Sequence, residues 1–260
     1  MKALELYRNL PRTNCGRCAP KACMAFAVSV VKGDLAAAAC PLLGPEEAAR
    51  IQAAVALGDW REELIVKLGA ELRGADFAAV AAGIGGQVRD GSLVVRCLGR
   101  EFTLSPDGVL RAAGAASPWE RMLVLLYAKG GGGPAPTGAW VSYGELKGGL
   151  VKASSFAREG EEPLLALFER DRPGTVAALA SLGARRGTGF PAAEAWVIDA
   201  LPRVPVALLF WPAEEEFPAR IKVAFDASAD RFLDAEGLIF LVEALVKAIE
   251  ERLGPPPGRE

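Results

Sequence analysis

The chain has 260 residues, of which 51% are hydrophobic and 24% are charged, and its formal net charge is −2. This length accommodates a small module and one full domain, and the balanced charge gives no electrostatic reason to expect nucleic acid as a partner. The chain contains no histidine, which excludes histidine general bases, histidine metal ligands and Ser-His or Cys-His nucleophile pairs within it.

The N-terminus and the apolar runs predict a soluble, cytoplasmic protein without membrane insertion. The first residues, MKALELYRNLPRT, are interrupted by Glu5, Arg8 and Arg12, so they lack the continuous apolar core of a signal peptide. The runs Ala19 to Val31 and Phe77 to Ile84 are too short or too rich in alanine to cross a bilayer, which requires about 20 apolar residues.

The N-terminal segment is predicted to be helical on both sides of a loop. A short helix spans Ala3 to Asn9, and apolar spacing predicts a second helix from Ala22 to Lys32 that Gly33 ends as a C-terminal cap. The stretch Asp34 to Ala39 is predicted as a further short helical piece with Asp34 as its N-cap.

Two helices, Pro45 to Leu57 and Trp60 to Arg73, are predicted to follow, separated by Gly58-Asp59. From Gly85 to Leu110 the pattern changes to strands, because Asp-Gly pairs at Asp90-Gly91 and Asp107-Gly108 interrupt apolar runs as hairpin turns do. We expect an antiparallel meander of three or four strands here.

The C-terminal half alternates between helices and strands, with a flexible glycine-rich loop from Gly130 to Gly138. The strand VPVALLFW, which begins at Val204, is apolar almost throughout and is therefore predicted to be central in its sheet. The other predicted elements are helices at Pro118 to Lys129, Ser154 to Arg170, Pro173 to Leu182 and Ala235 to Leu253, and strands beginning at Ala195 and Ala219.

These elements predict an α+β fold in two parts. Residues 1–44 form a small helical module, and residues 45–74 form a helical connection. Residues 75–254 form an α+β domain in which helices pack on a mainly antiparallel sheet. The proline-rich tail, residues 255–260, is predicted to be disordered.

Four of the five cysteines lie between Thr13 and Pro41 in the order C-x2-C-x4-C-x16-C-P. Three thiolates on one loop and a fourth from a distant position are a ligand set suited to a compact iron-sulfur cluster. A structural zinc site also accepts four thiolates, but zinc ribbons generally contain two C-x2-C pairs and this chain has one. The spacing favours iron-sulfur over zinc. The cysteines are Cys15, Cys18, Cys23 and Cys40.

The segment TNCGRCAPKACMAFAVSVVKGDLAAAACP resembles the small 4Fe-4S domain of the large subunit of corrinoid iron-sulfur proteins, and ALELYRNLP resembles the helix that precedes it. A similar module occurs in the B subunit of Rnf-type electron-transport complexes. The resemblance covers residues 2–43 and implies a 4Fe-4S cluster bound by Cys15, Cys18, Cys23 and Cys40. After Leu43 the chain lacks the alternating strands and helices of that subunit's TIM barrel.

From about Trp60 onward the chain resembles a family of uncharacterised domains, DUF3786, found in anaerobic bacteria and archaea. The resemblance is carried by WVSYGELKGG, from Trp140 to Gly149, and by VPVALLFWPAEEEFPARIKVAFDASADRFL, from Val204 to Leu233. That family has no assigned activity, so this resemblance implies a fold and not a reaction.

The cysteine-containing segment is basic, because residues 1–44 carry six lysines and arginines against Glu5 and Asp34. Arg17 and Lys21 lie within the ligand loop itself. Positive charge there would raise the reduction potential of a cluster and attract an acidic redox partner. Simple compensation of the cluster's charge is the alternative explanation.

Four other groups of residues are candidates for functional roles. Cys97 lies in an apolar strand, where a small core residue is the ordinary interpretation. Glu214, Glu215 and Glu216 form either a solvated hairpin tip or an acidic docking patch.

The YGELKGG segment contains Glu145 and Lys147, which could line a polar pocket, although Gly148 and Gly149 are equally well explained by a turn. Farther along the chain, Asp226, Asp230 and Asp234 approach the last predicted helix, and N-capping explains them.

Taken together, these patterns favour a single-electron-transfer or accessory protein over a stand-alone enzyme. The resemblance implies a redox partner protein, such as a corrinoid protein or a methyltransferase system. One alternative is a structural cluster in a partner-binding protein. Another is an enzymatic α+β domain supplied with electrons by the cluster, and a pocket lined by Trp140, Glu145 and Trp211 would support it.

Overall fold

The computed structural model describes residues 3–33, 35–57 and 60–254. The chain divides into two compact units, Met1–Leu64 and Ile65–Glu260, and each is described by itself. Helices and antiparallel sheets are both present, so the predicted α+β class is confirmed. Among the described residues no helix has the length and apolar character needed to cross a membrane.

The N-terminal unit is helical, as predicted, with α1 at Ala3–Arg8, α2 at Cys23–Lys32 and α3 at Pro45–Leu57. Helix α4, at Trp60–Glu71, begins in this unit. Gly33 ends α2 in the left-handed conformation, with φ of 82°, and its N–H bonds to carbonyls of the last turn. The predicted C-terminal cap is confirmed.

The helix predicted from Asp34 to Ala39 is instead a single 3₁₀ turn, Ala37–Ala39. Asp34 lies outside the described residues, and the Ala37 N–H is bonded by the side-chain oxygen of Gln52 at 2.9 Å. The turn stops at Cys40, which is extended (φ −85°, ψ 113°), because a residue before proline disfavours the helical conformation. The prediction was wrong in length.

Apolar residues of α1, α2 and α3 form the core of the N-terminal unit. Leu6, Phe26 and Val30 are buried there together with Ile51. Cys40 belongs to the same core, and only 5% of its surface is exposed. The core therefore fixes the backbone on both sides of the cysteine loop.

The predicted meander in the second unit is confirmed as a four-stranded antiparallel sheet. The Asp90-Gly91 turn joins the first two strands with positive φ at both residues, as a tight hairpin of this kind requires. Leu98-Gly99 forms a second such turn that was not predicted. The strands are β1 (Gln87–Arg89), β2 (Ser92–Cys97), β3 (Arg100–Leu104) and β4 (Leu110–Ala112).

The apolar run Phe77–Ile84 forms a helix, α5, which the sequence analysis did not predict. Its N-cap is Asp76, whose carboxylate accepts the N–H groups of Ala78 and Ala79. Its C-cap is Gly85, with φ of 74°. The signals were present at both ends, but eight residues of uniformly apolar sequence show no helical periodicity.

A five-stranded antiparallel sheet forms the centre of the second unit, in the order β5-β9-β8-β7-β6. The strand at Val204–Trp211 lies in the middle, as predicted. The two edge strands were not predicted, because segments of two or three residues carry no pattern of their own. The strands are β5 (Trp140–Ser142), β6 (Arg185–Arg186), β7 (Glu194–Leu201), β8 (Val204–Trp211) and β9 (Arg220–Asp226).

The helix predicted from Ser154 to Arg170 contains a π-helical segment, Ala157–Glu161. The buried Glu161 carboxylate accepts the Val223 N–H of β9 at 3.1 Å and pairs with Lys222 at 2.6 Å. Glu161 therefore links the π-helical segment to the backbone of β9. The helices of this unit after α5 are α6 (Pro118–Gly130), α7 (Gly149–Phe156), α8 (Glu162–Arg170), α9 (Arg172–Ser181) and α10 (Ala235–Leu253).

Gly69 in α4 packs directly on the backbone of Gly108, in the β3–β4 turn, and a methyl group at Gly69 would clash with the Gly108 carbonyl oxygen. We expect Gly69→Ala to lower the free energy of unfolding by about 2 kcal/mol, although alanine favours a helix by about 1 kcal/mol over glycine. Gly83→Ala in α5 is the matched control, since its methyl group would meet neighbours only at 3.5 Å or more. Urea unfolding measures both; a stabilised Gly69→Ala protein would contradict the packing argument.

Candidate metal centre

The four clustered cysteines lie in one part of the N-terminal unit. Cys15 and Cys18 occupy the loop between α1 and α2, and Cys23 is the first residue of α2, as predicted. Cys40 directly follows the 3₁₀ turn. Cys15 is exposed, Cys18 and Cys23 are half-buried, and Cys40 is buried, so the cysteines extend from the core to the surface.

Cys18 lies at the centre of this group. Burial raises the pKa of its thiol to about 11, and a hydrogen bond with the Cys40 side chain and the nearby sulfurs of Cys15 and Cys23 act in the same direction. Cys15 differs, because hydrogen bonds from the Arg17 N–H and the Thr13 side chain lower its pKa. All four sulfurs are thus close enough to influence the protonation of one of them.

Asn14 fixes the beginning of the loop against the beginning of α2. Its side-chain oxygen accepts the Cys23 N–H at 2.8 Å, and its own N–H points to the Cys23 sulfur at 3.4 Å. Asn14 has φ of 46°, which asparagine tolerates better than most residues do. This role of Asn14 was not predicted, because the bond joins residues nine positions apart in the chain.

The donor set fits an iron-sulfur cluster in its chemistry. The thiols of Cys15, Cys23 and Cys40 all lie near that of Cys18, and backbone N–H groups of Asn14 and Arg17 point to sulfurs, as they do in such sites. In the described ranges, however, no three Cys, Asp or Glu side chains have the mutual geometry of ligands around a bound ion.

Asn14→Ala should speed the loss of a bound cluster, because it removes the acceptor for the Cys23 N–H and the residue that tolerates positive φ. We expect iron to be released to a chelator about tenfold faster, corresponding to roughly 1.4 kcal/mol. Asn9→Ala is the matched control, since the Asn9 side chain bonds only the Glu5 carbonyl. Equal release rates for the two variants would show that Asn14 does not hold the loop.

Cys97 is a core residue, as predicted. It is fully buried in β2, and burial raises the pKa of its thiol strongly, which keeps it protonated and unreactive. The carboxylate of Glu120 acts in the same direction. Cys97 therefore belongs to the packing of the second unit.

The YGELKGG segment provides a turn and part of a cavity. Glu145 accepts the Ser142 N–H at 2.7 Å in a capping box, so its carboxylate has a structural role. Gly149 packs so closely on Tyr143 that a methyl group would clash with its carbonyl oxygen. Lys147 and Gly148 line a cavity of about 750 Å³ beside the start of α10. Of the two residues for which a polar pocket was predicted, Lys147 lines this cavity and Glu145 does not.

Trp140, Glu145 and Trp211 do not line one pocket, which counts against the alternative of an enzymatic α+β domain. Trp140 pairs with Asp226 at one end of β9, and Trp211 pairs with Arg220 at the other. Six residues of strand separate these positions by about 20 Å. Trp140 packs on Phe190, whereas the Arg220 guanidinium lies 4.1 Å above the Trp211 ring.

The three aspartates before the last helix have three different roles. Asp234 caps α10 through the Gly237 N–H at 2.8 Å, as predicted. Asp230 accepts the Lys147 N–H at 3.1 Å. Asp226 is not a cap but a fully buried acceptor for Thr137, Gly138 and Ser228, so the N-capping prediction was wrong for Asp226 and for Asp230.

Glu214, Glu215 and Glu216 are exposed between β8 and β9. The Glu214 N–H donates to the Phe217 carbonyl at 2.9 Å, and the Phe217 N–H donates back at 3.3 Å. This arrangement is the predicted solvated hairpin tip. The acidic docking patch remains a prediction.

Two curated proteins are similar to a short part of the chain. The acetyl-CoA decarbonylase/synthase complex subunit gamma of Methanothermobacter thermautotrophicus is 38% identical over 50 residues, which are 19% of this chain and 11% of that protein. The corrinoid/iron-sulfur protein large subunit of Moorella thermoacetica is 34% identical over 56 residues, which are 22% of this chain and 13% of that protein. The chain therefore spans only a small fraction of either relative, and no solved structure matches it.

Two protein families match separate parts of the chain. The family described as "Putative Fe-S cluster" matches residues 10–42, a range that includes all four clustered cysteines and supports an iron-sulfur cofactor. The family described as "Domain of unknown function (DUF3786)" matches residues 76–248, and both predicted resemblances are thereby confirmed. The DUF3786 match covers more than half of the chain's residues, so the chain belongs to the DUF3786 family.

Proposed function

We propose that Cys15, Cys18, Cys23 and Cys40 bind a 4Fe-4S cluster and that the protein transfers single electrons to or from a partner protein. The N-terminal module, residues 1–44, holds the cluster in this proposal. The α+β domain, residues 75–254, recognises the partner, and residues 45–74 connect the two. The proposal places the protein in the cytoplasm.

The observation that carries this proposal is the gathering of three other thiols near Cys18 within a segment that matches an iron-sulfur family. Four thiolates are the complete ligand set of a cubane cluster, so no other residue has to be supplied. The absence of histidine from the sequence is consistent with an all-cysteine site. A bound cluster supplies one-electron redox chemistry, which no side chain in this segment provides.

The proposed partner belongs to a corrinoid or methyltransferase system of anaerobes. Both curated relatives are named as subunits of corrinoid or acetyl-CoA synthase assemblies. They are similar to this chain only in a short segment, so they support the cofactor and its setting more strongly than a reaction. The rest of this chain belongs to a different family, and it is the part that would select the partner.

Anaerobic purification tests the cofactor directly. We expect about four iron and four sulfide per chain, together with broad iron-sulfur absorbance in the visible range. A colourless protein that contains stoichiometric zinc would overturn the proposal. A protein with about two iron per chain would retain an iron-sulfur site and overturn the 4Fe-4S assignment.

Reduction tests the electron-transfer role separately. Addition of dithionite should bleach the visible absorbance and produce the EPR signal of a one-electron-reduced cluster, and oxidation should restore the starting spectrum. A cluster that strong reductants leave unchanged would support the alternative, in which it only stabilises the fold of the N-terminal unit. The buried position of Cys40 in that core is the observation that favours this alternative.

A further inference from the structure

The surface around the cysteine loop combines exposed cations with exposed apolar side chains. We call it the cysteine-loop surface and define it by Arg12, Arg17, Lys21, Met24 and Leu42. All five residues are exposed, and 39% of Met24 and 41% of Leu42 is accessible. Each of the five residues lies within three positions of one of the four cysteines in the sequence.

The cations of this surface are available to a partner. Among the described residues, the side chains of Arg12, Arg17 and Lys21 form no ion pair with a carboxylate. Arg17 lies next to Cys15, since its backbone N–H bonds the Cys15 sulfur. Lys21 lies two residues before Cys23. Within the part of the chain that the structure describes, these cations near the cysteines thus carry charge that no carboxylate pairs.

The apolar residues lie next to the other two cysteines. Met24 follows Cys23 directly, and Leu42 is the second residue after Cys40. The sulfurs of Cys23 and Cys40 both influence Cys18, so each of these two exposed residues lies within two positions along the chain of one of the grouped thiols. A small apolar patch with charges at its margin is the usual composition of a transient protein interface.

We propose that the cysteine-loop surface docks a protein that carries a negatively charged patch around its own one-electron redox centre. This inference rests on the proposed function and names the class of partner that meets the cluster-binding segment, while the α+β domain selects among partners of that class. In each encounter one electron passes from the reduced partner to the bound cluster, so that the partner is oxidised by one electron, and no bond is formed or broken. The cations steer the encounter, and Met24 and Leu42 supply its desolvated contact.

Charge complementarity selects an acidic protein over other anions. A nucleic-acid duplex and a membrane surface both present phosphates. Neither places apolar groups at the level of its phosphates, where Met24 and Leu42 could cover them. A protein surface provides both the carboxylates and the apolar area.

The test uses the full chain with its cluster bound and an oxidised acidic flavodoxin as the probe, with binding measured by titration calorimetry. We expect the Kd to rise about tenfold between 50 and 300 mM salt. The double variant Arg17→Glu with Lys21→Glu should weaken binding by about tenfold or more at low salt. The variant Met24→Ser with Leu42→Ser should weaken it with an unchanged salt dependence.

The matched control is Arg50→Glu with Lys67→Glu, which makes the same change in net charge on α3 and α4 and should alter the Kd by less than about twofold. Reduction by dithionite is measured on every variant and should be unaffected. No binding of flavodoxin, equal binding by the two charge-reversed variants, or tighter binding to phosphatidylserine vesicles than to flavodoxin would overturn the inference. The proposed function is tested separately, because it would be overturned if dithionite did not reduce the cluster.

Discussion

Replacing Cys40 by alanine should abolish cluster binding and also lower the stability of the N-terminal unit. Cys40 is the only one of the four cysteines that is buried in the core of this unit, and its side chain bonds Cys18. We expect iron to fall from about four per chain to below one after anaerobic reconstitution, because a cubane cluster lacking one thiolate is readily lost. Iron and sulfide analysis, with visible absorbance, measures the effect.

Cys97→Ala is the control for this prediction. Cys97 is also buried, but it lies in β2 of the second unit and away from the four clustered cysteines in sequence. The substitution should leave the iron content unchanged and lower the free energy of unfolding by about 1 kcal/mol through the small cavity that it creates. If the Cys40 variant kept its full iron content, Cys40 would not be a ligand and the four-thiolate site would be wrong.

Asp226→Asn should be among the most destabilising substitutions in the second unit, at about 3 kcal/mol. The fully buried carboxylate accepts backbone N–H groups from Thr137 at 3.0 Å, Gly138 at 2.6 Å and Ser228 at 3.0 Å, and both of its oxygens are used. An amide places an N–H₂ group among these donors and leaves at least one of them unsatisfied. Asp199→Asn is the control, because the Asp199–Arg185 pair is exposed and contributes less than about 1 kcal/mol.

The effect of Asp226→Asn should depend on pH in a defined direction. Burial by itself raises the pKa of Asp226, but the hydrogen bonds from Ser228, Thr137 and Gly138 outweigh it and hold the pKa below its usual value. The stabilisation is therefore present above the unfolded-state pKa, about 3.9, and is lost as the pH falls through the folded-state pKa. Urea unfolding at pH 7 and pH 3 should show the difference between the proteins shrinking, and a constant difference would contradict this.

Elements with strong local signals were predicted well. Helix α10 has the predicted bounds, because an amphipathic stripe of 19 residues is a long and regular pattern. The Asp90-Gly91 hairpin was predicted from its turn residues alone. Helix α5 and the π-helical segment were missed, since the first has no periodicity and the second depends on Glu161 reaching the backbone of β9.

The candidate metal centre likewise has residues whose placement the sequence specifies and residues whose placement depends on the fold. The positions of Cys15, Cys18 and Cys23 follow from spacing within one loop, and the sequence specifies them. That Cys40 returns to Cys18 depends on the packing of α2 and α3 and on a 3₁₀ turn that the sequence analysis took for a longer helix. Asn14 acts through a bond to Cys23 nine residues later, which no pattern of residue types displays.

By itself, the sequence determined the class of cofactor, the α+β fold class and the strands and helices with regular patterns, because each of these depends on residues close together in the chain. Only the tertiary structure decided that Trp140 and Trp211 pair with opposite ends of β9 and that Asp226 is buried among donors from residues 137–138. It also decided which cations near the cysteines remain exposed. The physical reason is that burial and hydrogen bonding join residues far apart in sequence, whereas spacing and capping act within a few turns.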